Sequence, residues 1–333
     1  MMMKSSLINL AVISAFSFSF QSHAGFVTLP STGFSTSAYT NCYNNGRVIP
    51  SGGIANNVKG NFGSYPIAAA NYPATGSNDT CWVAKPASTV VLPAGKTGYT
   101  LVGSRSVPIP PVTGAPSGFT SIGTVTDIAW RNSTTNMCII STQVIMTNAD
   151  HDSGTPGTQY FEVNDVARGG FSGSTNVDIA YTIFTTPVTT ASPVYRAGRT
   201  FTSVQHRALA YDTLANKEQN GTNYLDLPTK NSVNTAITGE NTPIGPSTPA
   251  STTLATQDAV VNSNWVDFTL DTVYVDDDGS TNAASAFTYI EASCNAAPTV
   301  TNGNQAIRLR QTAQENTTFK EIAIDGYAIG STP

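Results

Sequence analysis

From about residue 119 onward the chain is a succession of short β-branched and aromatic runs, each closed by Gly, Asn, Asp or Pro. The runs fall at 124–130, 137–146, 159–163, 177–184, 194–204, 265–275, 286–293, 306–311 and 319–328. Short strands punctuated in this way predict an all-β fold, specifically an antiparallel β-sandwich-like domain. No helix competes strongly, since the best helical stretch, 208–218, is short and lacks a clean apolar stripe. One hairpin is predicted in detail. Residues 267–275 largely alternate polar and apolar side chains, as a half-buried strand does. Asp276, Asp277, Asp278 and Gly279 then turn the chain, and 287–290 is expected to return alongside.

Before residue 119 the pattern is different. Residues 25–118 are dense in Gly, Pro, Asn and Ser, and their strand-like pieces are short, as at 89–92 and 100–102. The stretch 106–112, with Pro108, Pro110 and Pro111, reads as an extended, proline-stiffened linker. A boundary near 115–120 divides a Gly/Pro-rich N-terminal region (25–118) from the sandwich-like domain (119–333). The N-terminal region fits an independent domain or a layer packed on the later strands equally well. Residues 236–256, rich in Thr, Pro and Ser, are expected to form a long surface loop.

Residues 1–24 read as a secretory signal peptide. Lys4 gives a basic start, 7–20 is apolar, and Ser22-His23-Ala24 has the small-x-small pattern of a cleavage site. The protein is therefore expected to be secreted or held at the cell outer surface. The apolar run is too short and serine-rich for a membrane span, and no later stretch is long enough for one. Four cysteines follow, Cys42, Cys81, Cys138 and Cys294. An even number in an exported chain favours disulfides, with three connectivities open. Cys42–Cys81 with Cys138–Cys294 is preferred, because each bridge then stays within one region. No close C-x-x-C pair suggests zinc. Only 11% of residues are charged, the net charge is −5, and no basic cluster offers a nucleic-acid surface.

Chemistry has few places to sit. Beyond the leader the histidines are His151 and His206, each at the end of an expected strand. Neutral imidazoles suit copper, zinc, iron or nickel, and two can hold Cu(I) at low coordination number. Asp150 or Asp152 could orient an imidazole from behind. Two surface histidines are the plainer reading of the spacing. Asp271, Asp276, Asp277 and Asp278 offer hard oxygens for calcium, but the EF-hand pattern is broken at both ends, by Tyr274 and Ser285. An acidic turn explains them. Gly170-Phe171-Ser172-Gly173-Ser174 lacks the last glycine of a nucleophile elbow and its strand-to-helix setting, despite His151 and Asp165 as nominal partners. No catalytic constellation stands out, and the chain is not expected to be an enzyme. Trp82, Trp130 and Trp265 are either sugar-stacking platforms or core anchors, with burial the default for the last two.

Several stretches carry a family resemblance: 160–169, 194–200, 264–266 through 274–279, and 307–312. Across roughly residues 120–330 the chain resembles the surface-associated, copper-repressible copper-binding proteins of methane-oxidising bacteria. The resemblance implies a β-rich secreted protein that binds copper through two histidines and a kynurenine made from tryptophan. Carried onto this chain, the imidazoles are His151 and His206, with Trp130 the first choice for the modified residue and Trp265 the second. No tryptophan here has a histidine two positions away, which departs from the pattern expected of such a site. The family also implies a surface di-haem cytochrome peroxidase as partner. The expected function is copper acquisition or storage at the cell surface. The alternative is a structural or adhesive β-protein that binds polysaccharide or protein.

Overall fold

The computed structural model describes residues 26–31, 41–42, 60–61, 96–112, 120–152, 154–182, 191–192, 194, 196–201, 261–276, 279, 281–311 and 320–330. The architecture of these residues is all-β. The first strands are β1 (Val27–Pro30), β2 (Asn41–Cys42), β3 (Gly60–Asn61), β4 (Thr100–Ile109), β5 (Gly123–Asn132) and β6 (Met137–Met146). Next come β7 (Val163–Gly169), β8 (Asn176–Thr182), β9 (Ala191–Ser192), β10 (Arg196–Gly198), β11 (Trp265–Thr272) and β12 (Ala284–Ser285). The last are β13 (Phe287–Ser293), β14 (Thr299–Val300), β15 (Ile307–Gln311), β16 (Lys320–Ile324) and β17 (Tyr327–Ala328).

Six strands of an eight-stranded sheet run β4-β5-β6-β13-β8-β1, each antiparallel to its neighbours. Beyond β13, β12 continues along β6 and takes β9 as a parallel neighbour. A five-stranded antiparallel sheet runs β10-β11-β7-β15-β16. Side chains alternate across each strand, so each sheet has an inner and an outer face. Leu29, Val125, Ile140, Val144, Ile179 and Ile290 of the larger sheet share one core with Val166, Phe268, Leu270, Leu309 and Ile322 of the smaller. Two sheets that bury their inner faces in a common core make a sandwich.

The outer faces are covered too. Ile128, Trp130, Ile139, Ala180, Phe287 and Tyr289 form a second cluster on the outside of the larger sheet. Ala167, Phe201 and Trp265 form another on the outside of the smaller. Central strands here are apolar on both faces because both faces are buried, which is why β6 and β13 read as runs rather than clean alternations.

A charged pair pins the two sheets together. Asp127 of β5 and Arg168 of β7 meet at 3.3 Å with both side chains fully buried. The Tyr327 carbonyl accepts from Arg168 Nη2 at 2.7 Å, and the Tyr327 amide donates to Asp127 Oδ2 at 2.8 Å. Burial pushes the Asp127 carboxyl above its ordinary range, and Arg168 pulls against it. A Cβ on Gly326 would stand 2.5 Å from Arg168 Nη1, so the chain passes the guanidinium only as glycine.

Three sequence expectations meet the structure here. Cys138 and Cys294 form a disulfide, with Cα atoms 5.7 Å apart, joining the start of β6 to the residue after β13. Cys81 lies outside the described residues, and with it the Cys42–Cys81 pairing. The turn at 276–279 is present: Gly279 has φ 79° and donates to the Asp276 carbonyl at 2.9 Å. The return strand is a correction. Val273 and Asn282 exchange backbone hydrogen bonds, but the chain then crosses to the other sheet and β13 pairs β6 and β8, not β11. Ser285 helps capture it, because its hydroxyl accepts the Val144 amide at 2.9 Å. With Phe287 and Tyr289 on one face and Ile290 and Ala292 on the other, β13 suits a centre covered on both sides.

The expected linker at 106–112 is a second correction. Its residues through Ile109 belong to β4, the edge strand paired with β5 over Thr100–Ile109. Proline lacks an N–H, and an edge strand tolerates that at Pro108. Two strands that precede residue 119, β1 and β4, are thus strands of the sandwich sheet itself. The helical candidate at 208–218 and the loop at 236–256 lie outside the described residues.

Candidate functional site

His151 sits in the turn that follows β6. Asp150 Oδ1 organises that turn by accepting the amides of Asp152 at 2.9 Å and Gln159 at 3.2 Å. The His151 amide donates to the Gln159 carbonyl at 2.8 Å, which draws the imidazole inward. The side chain is 1% exposed and packs edge-on against Phe161, a core residue, with ring centroids 5.5 Å apart. Neither Nδ1 nor Nε2 has a hydrogen-bond partner among the described residues. Burial, and then the Lys320 ammonium, lower the imidazole pKa to about 4, with Asp152 pulling the other way. Lys320 Nζ stands 3.7 Å from Asp152 Oδ2. The ring is therefore neutral near pH 7, with its lone pair available, which is the form a metal binds.

Of the other expected ligands, the two described tryptophans do not gather round it. His206 lies outside the described residues. Trp130 projects from the outer face of the larger sheet, and its backbone partner on β6 is Ile139. His151 follows the opposite end of β6, so Ile139 and Met146 alone are separated by about 20 Å of strand. Trp265 is 1% exposed, with its ring centroid 4.5 Å from that of Phe201. It pairs with Gly169 at the far end of β7 from Phe161. Among the described residues no group of three or more His, Cys, Asp or Glu side chains is arranged to hold a metal ion. Asp277 and Asp278 of the calcium candidate lie outside the described residues.

The segment that superficially matches a nucleophile elbow is a structural turn. Asn264 Oδ1 accepts the amides of Gly170, Phe171 and Ser172 at 3.3, 3.1 and 3.1 Å. Buried Arg199 donates to the carbonyls of Phe171, Ser174 and Ser263. The backbone groups that would have formed an oxyanion cradle are already occupied by Asn264.

Two charged clusters escaped the sequence reading. On the outside of the smaller sheet, Thr269, Asp165, Arg310 and Glu321 occupy one row across β11, β7, β15 and β16. Arg310 Nε bonds Glu321 at 3.0 Å, and its guanidinium lies 3.9 Å from the Phe201 ring centroid. This network links the four strands across the outer layer of the sheet. On the outside of the larger sheet, Lys96 and Glu291 form an ion pair whose side chains are 4% and 6% exposed. The Tyr99 hydroxyl donates to the second Glu291 oxygen, and the Lys96 ammonium lies 4.2 Å from the Phe26 ring centroid. Asp178 faces Glu291 directly across β8 and β13. The available signal was a lone glutamate in the apolar run of β13, in a chain with few charges.

Together these features define an all-β, disulfide-tied protein whose two main sheets share a core, with a buried, neutral imidazole at one end that has no hydrogen-bond partner among the described residues. No family model, no curated protein and no solved structure matches the chain. No helix among the described residues is long and apolar enough to cross a membrane.

Proposed function

We propose that this chain is a secreted or cell-surface protein that binds copper for acquisition or storage, with His151 supplying one imidazole donor. The observation that carries the reading is the state of that ring: buried, neutral and without a hydrogen-bond partner on either nitrogen among the described residues. An unsatisfied buried polar group costs about 1–3 kcal/mol. A ring nitrogen that spends its lone pair on a soft metal recovers that cost, and imidazole is a common copper ligand. The apparent secretory leader and the resemblance over residues 120–330 support the same reading. So does the absence, among the described residues, of an assembled nucleophile, base and oxyanion cradle, which favours binding over catalysis by the chain itself.

His206 is the second imidazole in this proposal, and substitution tests it. Cu(I) titration of the purified full chain against a chromophoric chelator should show saturable binding that His151→Ala removes. His206→Ala should weaken it by a similar factor. Binding unchanged in His151→Ala contradicts the assignment. A surface di-haem cytochrome peroxidase is the partner this proposal implies for any tryptophan oxidation, and Trp130 remains the first residue to test by mass.

A structural or adhesive role is the second reading, and one observation favours it. The β4 edge carries Leu101 and Val102, 50% and 37% exposed, beside the sandwich. Loss of polysaccharide or protein binding on Leu101→Lys, with copper binding intact, would select it.

A further inference from the structure

The Lys96, Glu291, Tyr99 and Asp178 group is independent of the copper proposal and points to a different chemistry. Glu291 lies on the outer face of β13, in one register row with Thr28, Asp178, Ile139, Trp130 and Leu101 across six strands. Lys96 reaches it from the segment that leads into β4, 195 positions earlier in the chain. Both side chains are withdrawn from water, and the lysine rests on the Phe26 ring. Ile139, Tyr289 and Phe287 are buried on the same face. We propose that Lys96 and Glu291 are the partners of an autocatalytic intramolecular amide (isopeptide) bond.

The step balances without any outside reagent. The Lys96 ammonium gives one proton to the Glu291 carboxyl, leaving a neutral amine and a neutral acid. Nζ attacks Cδ, and the Nζ–Cδ bond forms as the Cδ–O bond to the hydroxyl breaks. The second Nζ proton passes directly to the departing hydroxyl on the oxygen that Lys96 contacts, which leaves as water. Tyr99 holds the other Glu291 oxygen by hydrogen bond, and that is the oxygen on which negative charge develops during attack. Burial and the neighbouring carboxylates raise the Tyr99 phenol far above its ordinary value, so it stays protonated and able to donate. Thr28 Oγ1 donates to Asp178 Oδ1 at 2.6 Å and fixes that carboxylate on the strand beside Glu291.

Two general effects favour the reaction at this place. Held reactants gain effective molarities of about 10⁵–10⁸ M when they are well aligned. A buried ion pair carries a desolvation penalty for both charges, and conversion to a neutral amide removes both. The product would tie the lead-in of edge strand β4 to central strand β13, which the Cys138–Cys294 disulfide already ties to β6.

Intact-mass spectrometry of the purified full chain against Lys96→Arg tests this, because the comparison cancels any uncertainty in leader cleavage. Arginine can keep the ion pair but cannot make the lysyl amide. Lys→Arg alone adds about 28 Da, and restoration of the lost water adds about 18 Da more. A difference of about 46 Da, with a branched peptide joining residues 96 and 291 after digestion, is the expected result. A difference of about 28 Da, with Lys96 and Glu291 on separate peptides, overturns the proposal. Tyr99→Phe should leave a detectable uncrosslinked fraction, and complete crosslinking in that variant overturns the role of the Tyr99 hydroxyl.

Discussion

At the scale of single residues, His151 trades stability for availability. Its imidazole is packed against Phe161 as a core residue would be, yet both nitrogens lack partners among the described residues. His151→Leu should therefore stabilise the metal-free protein by about 1 kcal/mol in urea denaturation, while copper binding is lost. Asp325 gives the pH prediction. Its carboxylate accepts the amides of Gln305 and Gly303 at 2.8 and 2.9 Å, and these bonds hold its pKa below the ordinary carboxylate value. Because the folded pKa is the lower one, the stabilisation is present above the unfolded value near pH 4 and is lost as pH falls through the folded pKa. Asp325→Asn should thus be less stable than the wild type at pH 7. The gap should narrow as pH falls through the folded pKa of Asp325 and close once both side chains are neutral, as followed by hydrogen exchange at the Gln305 and Gly303 amides.

At the scale of elements, the junction between β5, β7 and the turn into β17 depends on one buried ion pair. Removing one partner leaves the other charge without compensation. Arg168→Met should cost about 3–5 kcal/mol, measured by urea denaturation. Gly326→Ala should also destabilise, because the added methyl meets both Arg168 and the Ile307 side chain, 2.7 Å away. Most of the long strands were legible, because β-branched runs and turn residues are local signals, but the run expected at 159–163 enters a strand only at Val163, where β7 begins. Partnership was less legible. Strand β13 reads as the return arm of a hairpin because the turn at 276–279 is real, but its two apolar faces place it in the other sheet. The end of strand β4, residues 106–109, reads as a linker because Pro108 and the prolines that follow it mask an edge strand. The Lys96–Glu291 pair could not be read at all, since nothing local relates residues that far apart. His151 was legible only as one of two histidines, because burial and the missing hydrogen bonds are properties of the packed turn.

At the scale of the whole molecule, two sheets share one core, and β1 and β4 bind the N-terminal region into the larger sheet. The described residues are expected to unfold as one cooperative unit, with coincident fluorescence and circular-dichroism transitions. The Cys138–Cys294 bridge closes a long loop, so the Cys138→Ser/Cys294→Ser double variant should lose about 2–5 kcal/mol. In our proposal the copper donor His151 lies at the end of the sandwich away from both described tryptophans. The direct measurement is the metal content of protein isolated from its native host, with mass spectrometry of the peptides carrying Trp82, Trp130 and Trp265. About one copper per chain in the wild type, and background copper in His151→Ala expressed in the same host, is the predicted result. A kynurenine would show as a gain of about 4 Da on one tryptophan peptide. Background copper in the wild type, with all three tryptophans unmodified, would contradict copper as the ligand of this protein.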